Sequence, residues 1–152
     1  MLTIARADFD DPALARFLQA HLDDLAPTAP PESRHALDLT ALRQSTVRMW
    51  VAHDGGVLVG TAALAELAAG HDELKSMRTE PIRRRSGVAS ALVSHVIDDA
   101  RSRGITRISL ETGSMDFFEP ARALYRTLGF VDCPPFGNYV DDPNSTFMTM
   151  TV

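Results

Sequence analysis

The sequence predicts one sheet-dominated α/β domain, with an antiparallel front half and a strand–helix–strand unit behind it. Three observations carry this. From Val47 to Leu64 the apolar residues recur with period two around a tight-turn sequence, the pattern of a β-hairpin. From about Gly87 to Arg103 the period changes to that of a helix, between two strand-like runs. The 152 residues, 45% apolar and 23% charged, contain no repeat, low-complexity tract or second-domain boundary, so residues 1–152 have room for a single domain around one core.

The elements follow in order. Leu2 to Ala5 alternates weakly, enough for a short first strand. Asp10-Asp11-Pro12 has the make-up of a helix start, an Asp cap followed by Pro in the first turn. Leu14, Phe17, Leu18, His21, Leu22 and Leu25 continue it at helical spacing, and Pro27, Pro30 and Pro31 end it. A second short helix is expected to carry Leu37, Leu39 and Leu42. In the hairpin, Val47, Met49 and Val51 share one face and Trp50 the other, with His53-Asp54-Gly55-Gly56 as the turn. The next strand spans Glu73 to Glu80 and is closed by Pro81; strict alternation puts Glu73, Lys75, Met77 and Thr79 on one face. In the following helix Val88, Leu92, Val96 and Ala100 form the buried stripe, and Gly104 suits the C-terminal cap. Thr106 to Glu111 is a strand, Pro120 to Leu128 a short helix stopped by Gly129, and Phe130 to Val131 the start of another strand. A loop from Pro134 to Asn144 leads to a last strand, Thr146 to Val152.

Composition excludes several classes of function. A net charge of −5 argues against nucleic acid as a principal partner. No window approaches the ~18 uninterrupted apolar residues of a membrane span, and the first residues lack the pattern of a secretory signal. The single Cys133 rules out an intramolecular disulfide and a Cys-rich metal site. His71-Asp72-Glu73 matches no recognised zinc spacing, so no metal is expected. A cytoplasmic protein without a membrane partner is the expectation.

Arg83, Arg84 and Arg85 form a basic run in this acidic chain. The segment Arg84-Arg85-Ser86-Gly87-Val88-Ala89 lies between a strand and a helix, where unpaired backbone N–H groups offer an anion site. Gly87 removes a side chain where a phosphate would approach, and Ala89 keeps the first turn small. On these grounds alone a phosphate site and a plain turn stand even. No P-loop sequence occurs, and only one glycine of the dinucleotide fingerprint is present. Glu111, roughly 20 residues further on, keeps a nucleotide-binding domain open as an alternative.

Two segments carry a family resemblance. The first is Met77 to Ala89, a strand end with Pro81 followed by Arg84-Arg85-Ser86-Gly87-Val88-Ala89, which fits Arg/Gln-x-x-Gly-x-Gly/Ala. The second is Ala121-Arg122-Ala123-Leu124-Tyr125-Arg126-Thr127-Leu128-Gly129-Phe130, which fits Ala-x-x-Leu-Tyr-x-x-x-Gly-Phe. In this order and separation they resemble the GNAT N-acetyltransferase superfamily, clearly over residues 73–131. The resemblance implies a central mixed, mostly antiparallel sheet of about seven strands flanked by about four helices. It implies acetyl-coenzyme A (acetyl-CoA) as cosubstrate and direct attack by an amine in a ternary complex. Arg84, Arg85, Ser86, Gly87, Val88, Ala89 and Ser90 would bind the pyrophosphate, and Met77, Arg78 and Thr79 would pair with the pantetheine arm. Tyr125 matches the position that often protonates the departing thiolate. The chain departs from the family at Phe118, where many members carry a cofactor-contacting Asn.

The chemistry needs a base, an oxyanion donor and an acid. A phenol with pKa near ~10 suits the acid role of Tyr125. For the base, Glu73 is preferred to Glu111. Cys133 and His95 are expected in packing or surface roles, His53 precedes a turn, and His71 with Asp72 and Glu73 could shape a substrate site. The acceptor, a primary amine of a small molecule or peptide, would lie among residues 22–40 and 136–142, drawn by Asp141, Asp142, Glu66 and Glu73. An acyl-CoA-binding sensor with little turnover is the alternative within the resemblance, and a homodimer stays open.

Overall fold

The computed structural model describes residues 1–28, 30 and 38–152. Seven strands form one sheet: β1 (Leu2–Arg6), β2 (Val47–Asp54), β3 (Val57–Ala68), β4 (His71–Thr79), β5 (Arg107–Gly113), β6 (Val131–Asp132) and β7 (Ser145–Thr151). Their order is β1-β2-β3-β4-β5-β7-β6, and β4–β5 is the one parallel pair among the described residues. A parallel pair needs a crossover, which α3 (Val88–Ser102) supplies. The other helices are α1 (Pro12–Leu25), α2 (Leu39–Leu42) and α4 (Glu119–Thr127). The Asp11 carboxylate caps α1 by accepting from the Ala13 N–H at 2.9 Å, and Asp38 caps α2 in the same way through Ala41. Leu37, expected in the second helix, lies outside the described residues.

The helices divide between the two faces of the sheet. Val88, Leu92, Val93, Val96 and Ile97 of α3 pack with Trp50, Leu74, Ile108, Leu110 and Met148 on one face, joined by Tyr125 of α4. Leu14 and Leu18 of α1 pack with Leu42, Val47, Met49 and Val51 on the other. The middle strands are therefore buried on both sides, as the split of Trp50 from its neighbours predicts. At its C-terminal end α3 is tied to the sheet by charge. Arg103 donates to Asp72 of β4 at 2.9 Å and to Asp99 at 2.8 Å, and Arg48 of β2 donates to the same Asp99 at 2.9 Å.

One irregularity shapes the rest. In the β3–β4 ladder Ala63 pairs with Lys75 but Thr61 pairs with Arg78, so Ser76 and Met77 together oppose Ala62. This is a β-bulge, with Ser76 at φ 53° and its carbonyl taken by the buried Thr61 hydroxyl at 2.8 Å. The bulge corrects the strict alternation expected for this strand. Glu73 and Lys75 share the α1 face, whereas Met77 packs with Leu74 toward α3. Beyond the bulge it is Arg78 that returns to the α1 face, its guanidinium 5.3 Å from the Phe17 ring centroid. Alternation from Arg78 places Thr79 with Met77.

Helix α3 runs close over β3 at Gly60. A Cβ there would lie 2.7 Å from Val88 Cγ1, 2.8 Å from Leu92 Cδ1 and 3.2 Å from the Arg78 carbonyl oxygen. Gly60→Val is expected to destabilise the fold by about 1–3 kcal/mol in urea titration through overpacking; an unchanged midpoint would show that α3 does not approach β3 this closely.

Candidate active site

The parallel ladder between β4 and β5 ends at Leu74 opposite Leu110. Past that point β5 stays paired with β7 to Gly113, while β4 follows its bulge along β3. The strands part and leave a cleft of about 160 Å³ that reaches both faces of the sheet. On the α4 side it is lined by Met77, Phe118, Ala121 and Tyr125; on the α1 side by His21, Leu25, Thr28, Glu73, Lys75 and Glu111. One side is apolar with a phenol, the other polar.

Next to the apolar side lies the basic loop. Pro81–Arg83 makes one 3-10 turn, Arg85 and Gly87 take φ 65° and 87°, and α3 begins without a side-chain cap. The first bond into the helix runs from the Ala91 N–H to the Gly87 carbonyl, so the N–H groups of Val88, Ala89 and Ser90 have no partner within the helix. A Cβ at Gly87 would meet nothing within 4 Å, so the approach to these groups is open. Arg83 is held by Asp54 at 2.5 Å and is not part of the counter-charge; Arg84 and Arg85 are exposed and are. Ser86 turns its hydroxyl back to the Arg83 carbonyl.

Tyr125 is 6% exposed, stacks edge-on against Phe130 at 5.8 Å and lines the cleft. Burial pushes its phenol above the ordinary value, so it stays protonated at neutral pH. Phe118 packs its ring onto Gly113, where a Cβ would stand 2.0 Å from Phe118 Cδ2. The residue that replaces the expected Asn therefore forms an apolar wall of the cleft.

Glu73 begins the polar side. Its Oε2 accepts from the Tyr139 hydroxyl at 2.5 Å and from the Lys75 ammonium at 3.2 Å, and Lys75 also donates to the Tyr139 oxygen at 3.1 Å. The phenol of Tyr139 is pushed up by burial and by the adjacent Glu73 carboxylate. Glu111 accepts from the Ser145 hydroxyl at 2.7 Å. The acidic field expected from four carboxylates is reduced: Glu73 is ion-paired, Asp142 accepts from the Asn144 N–H, and Glu66 lines a separate cavity with Arg48, Asp72 and Arg103. His71 bonds Ser109 through Nε2 at 2.7 Å, with burial and Arg107 lowering its pKa.

Sequence reasoning missed two residues of the site. Tyr139 lay in a loop assigned to the cleft, but no spacing links it to Glu73 across 66 positions. By spacing His21 is one member of the α1 apolar stripe, and a lone polar residue on that stripe is the available signal. Burial and the nearby Arg78 depress its pKa to about 4, with Asp24 opposing them.

The arrangement suits coenzyme A. Unpaired N–H groups, two exposed arginines and an open Gly87 fit phosphates. The β4 edge beyond Leu74, which no strand covers among the described residues, fits a linear arm. No group of three or more His, Cys, Asp or Glu able to hold a metal occurs among the described residues, and none of their helices is long and apolar enough to cross a membrane.

Comparison with known proteins agrees with the geometry. The Acetyltransferase (GNAT) family matches residues 14–130. The uncharacterized N-acetyltransferase YsnE of Bacillus subtilis (strain 168) is 50% identical over 129 residues, 85% of each chain. The uncharacterized N-acetyltransferase YedL of Escherichia coli (strain K12) is 42% identical over 152 residues, covering 100% of this chain and 96% of YedL. The IAA acetyltransferase of Azospirillum brasilense is 36% identical over 149 residues, 97% and 95% of the two chains. Among solved structures, the PaiA N-acetyltransferase of Thermoplasma acidophilum in complex with coenzyme A superposes with a TM-score of 0.75 at 13% identity, covering 100% and 99% of the two chains. The chain belongs to the GNAT acetyltransferase family and is an N-acetyltransferase.

The neutral imidazole of His21 makes stability pH-dependent. The unfolded chain gains a proton there below the ordinary value of 6.5, while the folded protein gains it only near about 4. Stability is thus fully present above about pH 6.5 and declines toward pH 4, by roughly 3 kcal/mol in all. Chemical unfolding of His21→Leu across that window is expected to show a decline smaller by this amount; parallel curves would contradict it.

Proposed function

We propose that the protein transfers an acetyl group from acetyl-CoA to a primary amine of a small molecule or peptide, by direct attack in a ternary complex. The observation that carries this is the parting of β4 from β5, which joins an apolar side holding Tyr125 to a polar side holding Glu73. Acetyl-CoA supplies a thioester carbonyl activated toward amines. The residues Arg84, Arg85, Ser86, Gly87, Val88, Ala89 and Ser90 hold the pyrophosphate at the N-terminus of α3. The backbone of Met77, Arg78 and Thr79 receives the pantetheine arm along the β4 edge, and an N–H on that edge stabilises the oxygen of the reacting carbonyl.

The amine enters from the α1 side. It reaches the cleft largely protonated, since alkylammonium groups ionise near ~10. Glu73 accepts its proton through water, and Lys75 and Tyr139 hold that carboxylate in place. Glu111 is the second candidate, on the facing strand. The C–N bond forms, the C–S bond then breaks, Tyr125 gives its phenolic proton to the departing sulfur, and the second proton shed by the acylated nitrogen, relayed through water, restores the phenol. Its burial, which keeps the phenol protonated until that moment, supports this role. Acetyl rather than a longer acyl group is favoured by the small cleft and the Phe118 wall. The acidic chain with one half-buried cysteine suits a cytoplasmic setting.

Thiol release from acetyl-CoA over a panel of primary amines tests this directly. Tyr125→Phe is expected to keep acetyl-CoA affinity and lose about 10²-fold in kcat; unchanged turnover would remove Tyr125 from the acid role. Acetyl-CoA at 100 times its Kd is expected to raise Tm by about 5–10 °C. A shift with NAD or ATP and none with acetyl-CoA would overturn the assignment.

A further inference from the structure

Lys75 is the only lysine in the sequence; every other one of its 15 Lys and Arg residues is an arginine. Where a side-chain cation of this chain serves only to pair, it is an arginine: Arg48 and Arg103 with Asp99, Arg78 with Asp24, Arg83 with Asp54. The one lysine lines the cleft, on β4 between Glu73 and the bulge. The two cations differ in what they can do once paired. A guanidinium keeps its proton and its charge; an ammonium that gives up a proton becomes a nucleophilic amine.

Lys75 sits where the reaction needs an acceptor. Its Nζ stands 3.2 Å from Oε2 of Glu73, the carboxylate assigned as base, within reach for proton transfer. A bond of 3.1 Å to the Tyr139 oxygen and the Tyr139 ring at 5.8 Å hold the ammonium there. Tyr125 and Met77 belong to the same lining. Met77 opens the segment assigned to the pantetheine arm and lies two positions from Lys75, about 7 Å along the strand. The amino group of Met1 is paired with Asp54, outside that lining.

Resting on the acetyltransferase assignment above, we infer that Lys75 is an acetylation site of the enzyme itself, filled from acetyl-CoA when no acceptor amine occupies the cleft. The ammonium passes one proton to Glu73, and the neutral amine attacks the thioester carbonyl. The C–N bond forms and the C–S bond then breaks. Tyr125 protonates the departing sulfur, and the second proton shed by the acylated nitrogen restores the phenol through water. The products are Nε-acetyl-Lys75, coenzyme A with a free thiol, and one proton that leaves Glu73 for solvent. The modification is self-limiting. An acetamide carries no charge, so Glu73, whose side chain is 8% exposed, loses its cation where a lone carboxylate is costly. The acetyl group also takes up room in a cleft of about 160 Å³. Amine turnover falls as the site fills.

The experiment incubates the protein, without amine, with acetyl-CoA carrying a deuterated acetyl group, and follows Lys75 by peptide mass spectrometry. One labelled acetyl group is expected on Lys75, ahead of the amino group of Met1. Labelling of Lys75 should be at least about tenfold slower in Tyr125→Phe, in Glu73→Gln and in the urea-unfolded protein. Thiol release with an accepted primary amine, measured after the same incubation, should fall in step with the label. Lys75→Arg, which keeps a cation beside Glu73 but offers no amine to acylate, should hold its own starting rate throughout. A Lys75 that stays unlabelled, or is labelled as fast in both variants as in the wild type, overturns the inference; thiol release with any amine of the panel then leaves the acetyltransferase assignment standing. Turnover that persists with Lys75 fully labelled overturns the self-limiting effect. An unlabelled Lys75 together with no thiol release from any amine overturns both the inference and the assignment.

Discussion

The site depends on one extra residue in one strand. Inserting Ser76 at positive φ lets β4 keep its bonds to β3 while turning away from β5. Non-glycine residues resist this conformation, and the surroundings hold it there: Thr61, fully buried, bonds the carbonyl that the bulge releases. Continued without the bulge, the register that sets Leu74 opposite Leu110 would bring Met77 opposite Gly113 and close the cleft. The Ser76 hydroxyl itself is buried without a partner among the described residues, a further sign that this backbone is shaped for the cleft rather than for local comfort.

From the gap follows a division of labour between faces. The α3 and α4 side brings N–H groups without a partner in the helix, and Met77, Phe118 and Tyr125, the surface on which the proposed phosphorylated arm and its thioester end would lie. The α1 side brings His21, Lys75 and Glu73, with Tyr139 reaching across from the loop before β7. Charge is matched on the polar side: Glu73 with Lys75, Arg78 with Asp24.

Much of this was legible in the sequence, for local reasons. The hairpin, the amphipathic α3 and the Gly87 junction are each written within about 20 residues, and their periods and caps speak directly. Tyr125 was legible through its motif, since spacing alone would leave it a packed aromatic. The bulge was not legible: alternation assumes one residue opposite one, and Ser76 breaks that by pairing with a distant strand. The contact of Tyr139 with Glu73 is equally a product of tertiary folding. His21 was visible but disguised, because one polar residue on an apolar stripe becomes informative only when the cleft beside it is known.

In the proposed mode of binding, the α3 N-terminus and the freed β4 edge together form the acyl-CoA site. Hydrogen–deuterium exchange of the protein with and without coenzyme A tests it at the backbone itself. Protection is expected in two separate stretches, 77–79 and 85–90, because both present N–H groups that the fold leaves without a partner on the ligand side. Binding of coenzyme A with protection confined to other elements, such as the cavity lined by Arg48 and Arg103, would contradict it.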